Sequence, residues 1–513
     1  MTPSASEDAS APMHAAGTKP RPAATAALRR SGLLFAVSAL CACSPEEKPQ
    51  VSPPEAPSPR PNIILVLVDA LRADHVSFNG YERKTTPFLD ALAERGTVFE
   101  RAYAHAPGTL LSTAILLTGR YFPLLIENDK FEEIPGMPAG RQARLASIPS
   151  LARENLTLSE RLERLGYETL MIATNPHHHK TSGFSQGFDR YIYLHNEGST
   201  SLPYADGEAV NQSFVSWLEE RSADAPFFAY LHYMDVHSPY DPPPAYRDRF
   251  VTRQGRYFYT NGKPDPTNTP NEDDLRYMQA LYDAGVLYVD TLLSELYEAL
   301  VRTGIHENTV FVVTADHGDE FMEHGGLGHG KTLEMEMLRV PLLISFPPLT
   351  DARPRVQEIV GLIDLAPTLL ALAGYSPDSL LEGRNLIEFM GSGRGGPREP
   401  DRLYAYLDER MSAAALVSSE WYFILETAGG KAKLYPNRAE PRGYATEDIA
   451  SGEPPGQIQS FREEVIAFVR SADAAREHVR AMGDEVAESG ELVDQQRMDG
   501  KILDQLRALG YLR

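Results

Sequence analysis

Five short apolar runs punctuate the chain, at Ile63–Val68, Thr169–Ala173, Phe227–Leu231, Val310–Thr314 and Pro341–Phe346. Each is uncharged and partly β-branched, the pattern of strands buried on both faces. Between them, Thr86–Arg95, Thr157–Leu165, Asp274–Leu300 and Leu362–Ala373 carry apolar residues at helical spacing. The alternation predicts an α/β fold with a large, mostly parallel central sheet between layers of helices. A Gly/Pro/Arg run at Gly391–Pro400 predicts a linker. Beyond it, Leu403–Tyr406, Ala413–Ser418, Trp421–Leu425 and Ala432–Tyr435 predict a small antiparallel sheet, and Gln457–Met482 and Ile502–Leu509 predict helices. The expected division is an α/β body over 61–390 and a smaller α+β part over 400–513.

The N-terminal pattern differs. Arg29 and Arg30 precede a short apolar run, Gly32–Leu40, and then Leu40-Cys41-Ala42-Cys43. This resembles a bacterial lipoprotein cleavage box with Cys43 as the lipidated residue. The run is too short to span a bilayer. Residues 1–43 are therefore expected to be an export signal, with Met13 as an alternative start, and the Pro/Glu/Ser-rich residues 44–60 a tether. The expectation is an exported cell-envelope lipoprotein without a transmembrane helix, held to the membrane only through Cys43. A plain cleaved signal is the alternative.

Composition sharpens the picture. The 513 residues are 42% hydrophobic and 23% charged, a globular balance, and the net charge is −22. Such a chain is a poor partner for nucleic acid, whose backbone demands basic patches. An anionic substrate would need a metal ion or a local basic cluster. The two cysteines, Cys41 and Cys43, both lie near the N-terminus. No disulfide framework, Cys-type zinc site or cysteine nucleophile is available to the folded body.

Candidate chemistry collects at the carboxyl ends of the predicted strands, where open α/β sheets bind ligands. The first run ends at Asp69, the second at Thr174-Asn175, the third at His232 with His237 close behind, and the fourth at Asp316-His317. A single Asp there usually caps a helix, but repetition on separate strands argues for a site. The segment from Thr314 to Lys331 holds three of the 14 histidines, His317, His324 and His329, among glycines. Adjacent Asp316 and His317 offer a hard oxygen and an imidazole nitrogen to one divalent ion, zinc or manganese by ligand type. Thr109 follows Pro107-Gly108 at the start of a predicted helix, Leu110–Leu117, and locally reads as a cap. His177-His178-His179-Lys180 reads as a solvated loop, with a pocket rim or metal ligands as the alternative. His324 is a candidate for supporting the site, Lys331 for contacting an anion, and Asp364 for bracing a helix.

Several segments together resemble the sulfatase family of the alkaline phosphatase superfamily. They are Pro61–His75, Thr86–Ala93, Leu116-Leu117-Thr118-Gly119-Arg120, Phe227–Tyr240, Asp316–Pro341 and Ile363–Leu370. The resemblance runs from about Pro61 to Gly374. It implies an alkaline-phosphatase-like sandwich, a divalent metal held by Asp69, Thr109, Asp316 and His317, and catalysis by Thr109 with His237 and His329. His237 is expected on the substrate's non-bridging oxygens, with Asn175 steadying them. His329 stands where many sulfatases carry a lysine that binds substrate or protonates the leaving group; in related phosphoethanolamine transferases a histidine at this spacing serves the phosphate or a second zinc.

The chain also departs from that family's pattern. The family signature reads Cys(or Ser)-x-Pro-Ser-Arg, two further residues, and Leu-Leu-Thr-Gly-Arg. Aligned on Leu116–Arg120, the nucleophile position is Thr109, and Leu111 and Thr113 replace the proline and arginine. Ala70 stands where many sulfatases have a second metal-binding Asp. A threonine cannot become formylglycine, so none is expected. Phosphothreonine, unlike a sulfated threonine, is readily opened by water or an alcohol. The expectation is a metal-dependent hydrolase of phosphodiester or phosphonate-type esters through a covalent Thr109 intermediate, with zinc favoured and manganese or calcium as alternatives. The competing readings are a sulfuric ester hydrolase, a phosphoethanolamine-type transferase acting on a surface glycan, and a non-catalytic binding protein.

Overall fold

A computed structural model describes residues 60–126, 149–194, 205–221, 225–257, 259–260, 263–264, 268–349, 355–375, 380–392, 401–437 and 455–489. The expected leader and most of the expected tether (1–59), most of the expected linker (393–400) and the expected helix Ile502–Leu509 lie outside them. Among the described residues no helix is long and apolar enough to cross a membrane.

Eight strands form the central sheet. They are β1 (Asn62–Val68), β2 (Thr97–Phe99), β3 (Glu168–Ala173), β4 (Arg190–Tyr193), β5 (Phe227–Tyr233), β6 (Thr309–Thr314), β7 (Leu342–Ser345) and β8 (Arg355–Val356). Their order is β8-β2-β7-β6-β1-β5-β3-β4. The pairs β6-β1, β1-β5, β5-β3, β3-β4 and β8-β2 are parallel, whereas β7 is antiparallel to both neighbours, so it alone runs against the rest. The predicted sheet is thus mostly parallel, with β7 as its reversed member. Ile63 to Val68 are fully buried, as the uninterrupted apolar run requires of a central strand. Each such side chain contributes about 1.5–3 kcal/mol on removal from water.

Helices cover both faces. Among them are α1 (Pro87–Ala93), α2 (Thr109–Thr118), α3 (Leu158–Arg164), α4 (Gly207–Glu220), α5 (Glu272–Arg302) and α6 (Leu365–Leu372). Helix α1 begins at Pro87, one residue inside the expected start, because proline's missing N–H and fixed φ suit the first turn. Helix α3 is opened by a reciprocal Thr157–Glu160 capping box and α5 by Asn271–Asp274. The predicted helix Leu362–Ala373 is split into a 3₁₀ turn, Leu362–Asp364, and α6.

A four-stranded antiparallel sheet follows, β9 (Leu403–Tyr406), β10 (Ala413–Val417), β11 (Trp421–Glu426) and β12 (Ala432–Pro436). Helix α7 (Pro455–Ser489) packs on it, with Phe468 stacked 4.3 Å from Tyr404 and Phe461 5.8 Å from Phe423.

Candidate active site

Four adjacent parallel strands, β6-β1-β5-β3, end together, and their trailing residues meet. Asp69 extends β1 by donating its N–H to Tyr233 O at 2.9 Å. The next residue, Ala70, has φ 61°, in the left-handed region, which costs a non-glycine residue roughly 1–2 kcal/mol. The Tyr282 hydroxyl secures this turn, donating to Ala70 O at 2.7 Å and accepting from Arg72 N–H at 2.8 Å. The turn aims the Asp69 carboxylate across the sheet end toward Asp316 and His317, which follow β6. One ligand atom from each of the three lies within 4.8 Å of the other two.

Thr109 is the first residue of α2, after Gly108 in extended conformation, and not the cap itself. Its Oγ1 lies 3.3 Å from Asp69 Oδ2, 3.3 Å from His317 Nε2 and 3.3 Å from Asn175 Nδ2. Helix α2 is docked to the same strand end by Ser112 Oγ, which donates to Asp316 O at 2.6 Å. Asn175 follows β3; its Oδ1 accepts from His177 N–H at 2.8 Å, which fixes the amide so that Nδ2 donates to Asp69 Oδ2 at 2.6 Å.

The donor set suits a cation. Asp69, Asp316 and His317 are fully buried, and Asp69 Oδ1 and Asp316 Oδ2 have no hydrogen-bond partner. Burial, and then Asp316, push the Asp69 carboxyl well above the ordinary range. A divalent ion between the carboxylates would reverse both effects. His317 Nδ1 bonds Gly318 O at 2.9 Å, so that nitrogen carries the proton and Nε2 keeps its lone pair for a metal.

The other two histidines meet above this triad. The His329 ring lies 4.3 Å from that of His317 and 4.8 Å from that of His237. Burial by itself lowers the His329 pKa, but Asp319, 2.6 Å away, overrides it and holds the group up at about 9. His317 and His237 are pushed down to about 3, first by burial and then by His329. His237 Nδ1 faces Ser238 O at 2.6 Å, which fixes the proton there and leaves Nε2 an acceptor.

The seven residues that the family resemblance assigned to the site, Asp69, Thr109, Asn175, His237, Asp316, His317 and His329, thus lie in one cluster, whereas His324 pairs with Glu336 outside it. The reading of His177–His179 as a solvated loop is corrected. His178 and His179 are buried, because two 3₁₀ turns, Pro176–His178 and Lys180–Ser182, fold under the sheet end. His178 packs 4.9 Å from Phe184 and 4.9 Å from His232. His232 Nε2 is 3.5 Å from Asp69 Oδ2. Asp319 was not singled out by the sequence, although it lies within the dense 314–331 segment; it orients His329 and accepts from Tyr240 Oη at 2.6 Å. Lys331 Nζ donates to Leu327 O at 3.4 Å and lines a cavity of about 310 Å³ with Lys431 and Lys433. Asp364 braces backbone, accepting from Gly361 and Arg384 N–H at 2.8 Å each.

Comparison with known proteins agrees with this architecture. Residues 61–375 match the model of the Sulfatase family. An arylsulfatase of Clostridium perfringens is 27% identical over 383 residues, 64% of this chain and 78% of its own length. A ulvan-active sulfatase of Formosa agariphila is 24% identical over 416 residues, 74% of this chain and 76% of its own. Among solved structures, the phosphonate monoester hydrolase of Agrobacterium radiobacter aligns with a TM-score of 0.63 at 21% identity, covering 80% of this chain and 96% of that one. Sulfatase-family enzymes are metal-dependent, and the Asp69–Asp316–His317 cluster offers a place for the ion. The chain therefore belongs to the sulfatase family of the alkaline phosphatase-like superfamily and is a hydrolase.

Proposed function

We propose that the chain hydrolyses phosphodiester or phosphonate-type esters through a covalent intermediate on Thr109. The observation that carries this reading is the Thr109 hydroxyl at the helix start, 3.3 Å from both Asp69 and His317, in a body without cysteine. A threonine oxygen forms a phosphoester that water can open, and it has no route to formylglycine. The fold likeness to a phosphonate monoester hydrolase is compatible with it.

A divalent cation held by Asp69, Asp316 and His317, zinc by ligand type with manganese or calcium as alternatives, would offset the ester's anionic oxygens and lower the hydroxyl pKa. The helix N-terminus adds only about 0.3–2 kcal/mol. Thr109 Oγ1 passes its proton to Asp69 Oδ2, 3.3 Å away, and attacks phosphorus in line with the leaving oxygen. The Oγ1–P bond forms as the bond to the leaving alcohol breaks, and His329, protonated at neutral pH, donates to that oxygen. Asn175 holds the Asp69 carboxylate in register. His237 steadies the ester's non-bridging oxygens, as the family resemblance implies, and His329, neutral after its donation, takes a proton from the water that opens the phosphothreonine while Asp69 returns the proton to Thr109 Oγ1. The anionic substrate approaches from the strand ends, and a lipid on Cys43 would keep the enzyme at the envelope.

Sulfate-ester hydrolysis is the second reading, favoured by the names of the relatives, an arylsulfatase and a ulvan-active sulfatase. A panel of 4-nitrophenyl phosphodiester, phosphonate and sulfate esters separates the two. The phosphorus esters should turn over faster, and Thr109→Ala should lose at least about 10³-fold on them. Preferred turnover of the sulfate ester, or an unimpaired Thr109→Ala enzyme, would overturn the proposal.

A further inference from the structure

A second cluster of metal-ligating side chains lies outside the site described above, on the segment that carries His329. Glu320 opens a short hairpin, Glu320–Phe321 with Leu327–Gly328; His324 is at its tip, and Glu336 lies in the helical turn Met335–Leu338. One ligand atom from each of Glu320, His324 and Glu336 lies within 4.8 Å of the other two. Glu320 and Glu334 are 2% exposed, Glu336 is fully buried, and the His324 side chain is 9% exposed.

Three carboxylates therefore crowd one imidazole. Lys433 serves Glu334 at 2.5 Å. Glu320 spends Oε1 on the N–H groups of His324 and Gly326, at 2.9 and 2.6 Å. His324 Nδ1 bonds Glu336 Oε1 at 2.8 Å, a pairing that fixes the ring as metal-site carboxylates do. Two buried atoms have no hydrogen-bond partner: Glu336 Oε2 and His324 Nε2, the latter 3.6 Å from Glu334 Oε2. Buried carboxylate oxygens left without a donor are costly unless a cation reaches them.

We infer that Glu320, His324 and Glu336, flanked by Glu334, form a second divalent-cation site. The mixed imidazole and carboxylate set suits zinc or manganese; calcium prefers oxygen alone. Its role is structural. It ties the hairpin leading to His329 to the 334–338 segment, and through Glu334 and Lys433 to β12 of the C-terminal sheet.

The test uses the full chain with Asp69→Asn and Asp316→Asn together, which disables the first site. After incubation with zinc chloride and gel filtration, elemental analysis should find one zinc per chain, and zinc should raise the melting temperature. Adding Glu336→Gln or His324→Gln should remove both effects while far-ultraviolet circular dichroism stays unchanged. Zinc-edge absorption of the Asp69→Asn/Asp316→Asn protein, which keeps the cluster intact, should report an imidazole among oxygen donors. Absence of zinc from that protein, or an absorption spectrum without an imidazole donor, would overturn the site and leave His324 as an imidazolium shared by Glu334 and Glu336.

Discussion

Gly318 follows the Asp316-His317 pair, and its lack of a side chain is a packing requirement. A Cβ there would lie 2.1 Å from Glu336 O and 2.9 Å from Arg72 Cγ. The Glu336 oxygen is backbone and cannot swing aside. Restoring an ordinary contact of about 3.5 Å moves one backbone by roughly 1 Å or more. The same movement breaks the 2.8 Å bond from Gly318 N–H to Met337 O, worth about 1 kcal/mol. Overpacking adds about 1–3 kcal/mol. Gly318→Ala should therefore destabilise by about 2–4 kcal/mol in urea unfolding. Because the displaced residues adjoin His317, a shift of about 1 Å should also cost on the order of 100-fold in kcat/KM. Gly429→Ala is the control: its nearest neighbour would be Glu426 Oε2 at 3.6 Å, and its effect should stay within about 0.5 kcal/mol. A Gly318→Ala protein matching wild type in both assays would refute the claim that this contact sets the site geometry.

Other consequences follow from single residues. Gly119 closes α2 at φ 66°, and an added Cβ would lie 2.5 Å from Leu381 Cδ2; Gly119→Ala should cost at least about 1–2 kcal/mol in thermal or urea unfolding. Burial pushes the Asp290 carboxyl up to about 7, although it accepts from the N–H groups of Phe88 and Leu89. Folded chains then bind a proton that unfolded chains have released between about pH 4 and pH 7, so this group's stabilising contribution falls as pH rises through that window. Relative to wild type, Asp290→Asn should gain stability between pH 5 and pH 7.5, by at most about 3 kcal/mol; a difference flat with pH would contradict this. Removal of divalent ions by a chelator should abolish ester hydrolysis and lower the melting temperature, with zinc restoring both.

The central strands were legible because burial on both faces forces an unbroken apolar run, and their polar followers, Asp69, Asn175 and Asp316-His317, then marked the site. What escaped had weaker signals. Strands β2 and β8 have only three and two residues, too few to reveal a period. Strand β4 is an edge strand, Arg-Tyr-Ile-Tyr, half exposed and without an apolar run. Helix α4 carries Val210, Phe214 and Trp217 on one buried face, a stripe diluted in the sequence by Glu208, Asn211, Gln212 and Ser213. His177–His179 looked solvated because three consecutive histidines are polar in composition; only the chain's return beneath the sheet buries them. Glu320, Glu334 and Glu336 carry no local pattern that tells a buried carboxylate from a surface one. The Thr109 position needed family resemblance, since a threonine at a helix start is ordinary locally.

The most direct test of the account is the chemical state of Thr109 during turnover. Acid-quenched enzyme from a reaction with a 4-nitrophenyl phosphodiester or phosphonate ester, digested and analysed by mass spectrometry, should yield the Thr109 peptide carrying the phosphoryl or phosphonyl group. Its formation should keep pace with the burst of 4-nitrophenol. Steady turnover with a burst but an unmodified Thr109 peptide, or with the group on another residue, would contradict it.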